Sequence, residues 1–157
     1  MGIRKILTDA DPALHKVCKP VEVFDRKLHK LLDDMADTLQ KAEGVGLAAP
    51  QVGILRRVVI VDIGDEILEL VNPSLVETSG EQIGAEGCLS VPGKYGQVKR
   101  PNYAKVRAQD RFGEWFEAEG EELIARCFCH ELDHLDGILY TQVMDRLMTE
   151  EELEAEA

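Results

Sequence analysis

Residues 127–137, CFCHELDHLDG, constrain this chain more than any other stretch. His130 and His134 stand four residues apart, and on a helix that spacing stacks both imidazoles on one face, where they could share one metal ion. Glu131 follows the first histidine, at the place where a carboxylate can act on water beside the metal without becoming a ligand. Taken alone the pattern is weak, because His-Glu-x-x-His is short and histidines on an apolar helix face often only pack. A metal centre needs a third ligand from elsewhere in the chain.

The neighbouring residues predict a helix. Leu123, Cys127, His130 and His134 fall on one arc, with Ile124, Phe128, Glu131 and Leu135 beside it, so the histidine pair lies within the buried stripe. Glu121 and Glu122 are expected in its first turn and Gly137 at its C-terminal end.

At 157 residues the chain has room for one domain with one real core, read as residues 1–147 followed by an acidic tail, 148–157. Glu150, Glu151, Glu152, Glu154 and Glu156 crowd that tail, which reads as a solvated end. No apolar run is long enough to cross a bilayer and no signal-peptide core opens the sequence, so the expected location is cytoplasmic, with no membrane partner. The four cysteines lack a framework spacing, and reduced thiols are expected. A formal charge of −12 opposes nucleic-acid binding, which draws most of its affinity from a basic surface.

Asp25 is placed to cap an N-terminal amphipathic helix running to about Glu43, in which Leu28, Leu31, Leu32, Met35, Ala36 and Leu39 form the apolar face. Gly44 is expected to end it, and its charged face, His29 included, to meet solvent. Residues 44–53, GVGLAAPQVG, have little side chain beyond Cβ and so let another backbone or a ligand come close. They match neither a dinucleotide fingerprint nor a P-loop, and a plain helix-terminating loop is the bland alternative. Residues 57–63 and 67–71 predict a hairpin about Gly64 and Asp65, with Asn72-Pro73 ending its second strand. Residues 84–93, GAEGCLSVPG, set Cys88 among turn residues as an exposed, fixed thiolate and the obvious third ligand. Residues 95–99, 105–111 and 114–118 predict three more antiparallel strands, with the histidine-bearing helix packed across them.

Three segments now stand together: GVGLAAPQ at 44–51, EGCLS at 86–90 and HELDH at 130–134. In this order they resemble the three signature motifs of the peptide deformylases, and the resemblance runs over nearly the whole chain. It implies an α+β fold, with two main helices and antiparallel sheets wrapped around the second. It also implies hydrolytic removal of the formyl group from the N-terminal formyl-methionine of new polypeptides.

Cys88, His130 and His134 would give three protein ligands and leave the fourth tetrahedral position open, as in a catalytic site. By the resemblance Glu131 is the general base, and the oxyanion is met by the Gln51 side-chain amide and the Leu89 backbone N–H. The backbones of Val45, Gly46 and Gly87 bind the peptide as an added strand. Leu123 and Cys127 line the methionine pocket. Cys129 is expected to point away from the ligand face, and Asp133 to anchor the helix by pairing with Arg126. One Cys and two His suit zinc, iron(II), cobalt or nickel, and the resemblance favours iron(II) in cells.

This chain departs from the familiar pattern twice. Cys129 stands before the first metal histidine where the family usually has Gln, and the short acidic tail replaces the basic C-terminal helix that docks some relatives at the ribosome, which argues against contact by that route. The sequence also admits two rival readings. A general metallopeptidase would usually take its third ligand downstream of the helix, whereas Cys88 lies upstream. A metal or redox sensor would need neither Gln51 nor Glu131.

Overall fold

The computed structural model describes residues 2–156 and shows an α+β fold, as the sequence predicts. Helix α1, Arg26–Ala42, begins where the Asp25 carboxylate accepts from the N–H groups of Lys27 and Leu28 at 3.1 and 3.2 Å. It ends one residue earlier than expected. Glu43, not Gly44, takes the left-handed conformation (φ 55°), and its N–H returns to the Gln40 carbonyl. The charged face is not all solvated either: the His29 ring sits 2.8 Å from the Arg111 carbonyl and edge-on to Phe112, because the turn after a later strand packs against it.

Strands β1 (Gly46–Ala48), β2 (Val58–Asp62), β3 (Ile67–Ser79), β6 (Tyr103–Gln109) and β7 (Trp115–Glu121) form one antiparallel sheet in the order β1-β2-β3-β6-β7. Strands β4 (Gln82–Cys88), β5 (Val91–Arg100) and β8 (Arg146–Leu147) form a second. The continuous apolar run of β2 follows from burial on both faces. Val59 and Val61 pack toward the second helix, and Val58 and Ile60 toward α1.

Asn72-Pro73 does not end β3. Asn72 turns to φ 51° and the register slips between Val71 and Ser74, a bulge that tolerates the proline and lets the strand continue to Ser79. The Asn72 amide holds the kink by bonding both backbone groups of Val21, at 2.8 and 2.9 Å.

Helix α2, Leu123–Leu135, lies against the large sheet through Ala125, Phe128 and Leu135, which share a core with Val59, Val61, Leu70, Ala104, Val106 and Ala108. Its first turn carries no acid, contrary to expectation. Glu121 closes β7, and Glu122 sits before the helix at φ 54° without a side-chain cap. Its C-terminal end is as expected. Gly137, at φ 76°, returns its N–H to His134, and a Cβ there would lie 2.7 Å from the His15 carbonyl carbon. Beyond α2 the chain stays with the core longer than expected, since Tyr140 is buried and β8 pairs with β5. Helix α3, Glu150–Glu156, follows. Among the described residues no helix is long and apolar enough to cross a membrane.

Candidate metal centre and substrate cleft

Cys88 is the last residue of β4, in the tight turn that pairs it with Val91, and α2 lies behind that turn. The thiol is half-buried, where an exposed thiolate was predicted. Its Sγ is 3.4 Å from His134 Nε2, which is in turn 3.2 Å from His130 Nε2, and the three donor atoms all lie within 4.8 Å of one another. Both histidines are buried on the inner stripe of α2, as the helical spacing requires.

Glu86 is the residue that reading the sequence missed. It is 5% exposed, and its Oε2 lies 2.6 Å from His130 Nδ1; since a carboxylate only accepts, Nδ1 carries the proton and Nε2 presents its lone pair to the site. Arg100 holds the same carboxylate through Nε at 3.0 Å and Nη2 at 2.7 Å, and Arg126 Nη1 reaches it at 2.9 Å. Burial alone would raise the acid's pKa, but the bonds from His130 and Arg100 outweigh it and bring the carboxyl down to about 2. The expected Arg126–Asp133 pair does not form: Asp133 bonds Arg100 at 2.8 Å, and Arg126 turns instead to Glu86 and the Val98 carbonyl. The available signal was that Glu86 stands two residues before Cys88, on a strand where that spacing shares a face.

Glu131 is also buried, and its Oε1 has no hydrogen-bond partner among the described residues. Burial pushes its carboxyl up to about 7, with His130 opposing. Gln51 is held in one orientation: Oε1 accepts from the Ala48 N–H at 2.9 Å, so the amide nitrogen faces Ser90 Oγ at 3.1 Å and Cys88 Sγ at 3.6 Å.

These groups open into a cleft of about 400 Å³ lined by Val45, Gly46, Gln51, Gly87, Cys88, Leu89, Leu123, Cys127, His130 and Glu131, with Glu86 and Tyr95. His134 lies behind its wall, fully buried, and its Nδ1 has no partner among the described residues. The glycines make the cleft. A Cβ on Gly46 would stand 2.6 Å from Cys127 Sγ and 2.7 Å from Glu131 Oε2, and one on Gly87 would stand 2.5 Å from the Tyr95 ring. Burial pushes both the Cys127 and Cys129 thiols up, and Cys129 does not line the cleft. A sulfur and two imidazole nitrogens converging in a half-enclosed cleft suit a borderline divalent metal ion.

The polypeptide deformylase family matches residues 3–150. The peptide deformylase of Acetivibrio thermocellus is 54% identical over 154 residues, covering 98% of this chain and 91% of the relative. That of Caldicellulosiruptor bescii is 53% identical, covering 98% and 93%. Among solved structures, the Thermotoga maritima peptide deformylase superposes with a TM-score of 0.89 at 38% identity, over 92% of this chain and 99% of that one. A Synechococcus elongatus peptide deformylase in complex with actinonin gives 0.87 at 35% identity, over 99% and 84%. The match over residues 3–150, relatives more than half identical along nearly the whole chain, and the shared fold place this chain in the polypeptide deformylase family.

Proposed function

We propose that this chain hydrolyses the formyl group from N-formylmethionyl peptides, with Cys88, His130 and His134 holding one divalent metal ion and Glu131 as general base. The observation that carries the reading is the buried Glu131 carboxyl, whose Oε1 has no hydrogen-bond partner among the described residues, beside a Cys-His-His donor set. Iron(II) is the favoured ion in cells, and zinc, nickel or cobalt suit the same donors. When bound, the ion supplies Lewis acidity at the formyl carbonyl.

The chain's own groups do the rest. Glu131 takes a proton from the attacking water and returns it to the amine nitrogen as the C–N bond breaks and formate leaves. One N–H of the Gln51 amide and the backbone N–H of Leu89 donate to the oxyanion, and the Ala48–Gln51 bond aims that amide in advance. Val45, Gly46 and Gly87 offer backbone groups to an extended peptide, while Leu123 and Cys127 wall the methionine side chain.

Glu131→Gln tests this directly. Formate release should fall by about 10²-fold or more while metal content is unchanged. A variant that keeps its metal and its turnover would remove Glu131 from the chemistry.

A further inference from the structure

A second and larger groove, of about 820 Å³, lies at the far end of α1 from the cleft. Residues of the first turns of α1 line it, whereas Glu43, just past the last turn, borders the cleft; a helix of 17 residues separates the two by about 25 Å. Its floor is apolar, with Val21, Val23, Leu28 and Ile54, and Val23 is 66% exposed. Its rim carries Arg4, Lys19, Lys27, Lys30 and Arg56 against only Glu22 and Asp25, in a chain of formal charge −12. Arg4 and Lys30 are paired with Asp34, and the Asp25 carboxylate is occupied in capping α1. Lys19, Lys27 and Arg56 have no ion pair among the described residues.

The complementary surface is on the same chain. Arg146 of β8 grips Glu152 and so fixes α3 to the second sheet. Glu150, Glu151 and Glu154 are left exposed with no ion pair among the described residues, around the half-buried Leu153.

We infer that this groove docks the acidic C-terminal segment of a second copy, three unpaired carboxylates meeting three unpaired cations over an apolar floor. Reciprocal exchange of the two tails closes a two-fold dimer. A bare polyanion such as an RNA backbone fits less well, since it would leave the apolar floor uncovered.

Sedimentation equilibrium of the full chain tests this. The mass should rise toward the dimer as concentration approaches about 1 mM at about 50 mM salt, and return to the monomer at about 500 mM. Lys19→Glu with Arg56→Glu should be monomeric, and so should Glu150→Lys with Glu151→Lys and Glu154→Lys. Mixing these two charge-reversed proteins should restore association, because each then offers a tail opposite in sign to the other's groove. Both should release formate at the unaltered rate, which shows that they fold. A wild-type chain that stays monomeric throughout, variants that associate as the wild type does, or a mixture that fails to associate would each overturn the inference. So would salt-dependent RNA binding through Lys19 and Arg56 by a monomer.

Discussion

Glu86 Oε2 lies 2.6 Å from His130 Nδ1, and the same carboxylate is clasped by the guanidinium groups of Arg100 and Arg126. Two cations thus hold one anion that fixes the tautomer of one imidazole. Glu86→Gln should lower metal affinity by about 10- to 100-fold, measured by chelator competition, since partners behind a ligand commonly matter that much. It should also destabilise the fold by about 3 kcal/mol, read from denaturant unfolding, because Arg100 and Arg126 lose a buried counter-charge. Unchanged affinity would mean that α2 alone orients His130.

Gly46 leaves the space in which Glu131 and Cys127 meet the cleft. Gly46→Ala should reduce kcat/KM roughly tenfold or more, from the about 1–3 kcal/mol that overpacking costs. Adding Cys127→Ala should recover part of the loss, since Cys127 Sγ is the atom nearest the new methyl group. Strictly additive losses in steady-state kinetics would show that the two positions do not share that space.

Gln51 is anchored through its oxygen, so its nitrogen is turned toward Ser90 Oγ and Cys88 Sγ at the cleft, in place to donate there. Gln51→Leu should lower kcat about 100-fold, corresponding to roughly 3 kcal/mol of lost oxyanion stabilisation. KM and metal content should change little. A loss expressed mainly in KM would assign Gln51 to ground-state binding.

Asp34 ties the N-terminal segment to α1 through Arg4 Nε, 2.9 Å away, and the backbone carbonyl of Asp34 accepts from Thr38 Oγ1 at 2.7 Å. Burial pushes its carboxyl up, but Arg4 and Lys30 outweigh this and hold it below the usual carboxylate value. A depressed acid contributes stability above its unfolded pKa of about 4 and loses that contribution as pH falls through the folded value. Asp34→Asn should therefore cost about 1–3 kcal/mol at neutral pH, with the difference from wild type shrinking below about pH 4 in urea titrations. A constant difference down to about pH 2 would contradict this assignment.

What could be read from the sequence was set by periodicity and spacing. The apolar face of α1 and the capping role of Asp25 followed from a repeat that local sequence fully specifies. So did the shared face of His130 and His134. The bulge at Asn72 could not be read, because Pro73 signals a stop unless something outside the strand, here Val21, holds the kink. Glu86 was hidden for the same kind of reason. Its partners Arg100, Arg126 and His130 are 14, 40 and 44 residues away, and only the packing of β4 and β5 against α2 makes them neighbours. The pairing of Asp133 with Arg100 rather than Arg126 likewise depends on β5.

The most direct test is formate release from a short formyl-methionyl peptide, with protein purified without oxygen and loaded separately with iron(II) or zinc, beside the same peptide without its formyl group. Formate should appear from the first with iron(II) the faster ion, and no peptide bond should be cut in either. Cleavage of the unformylated peptide, or no formate from protein holding one ion per chain, would contradict the assignment of Cys88, His130, His134 and Glu131 to deformylation.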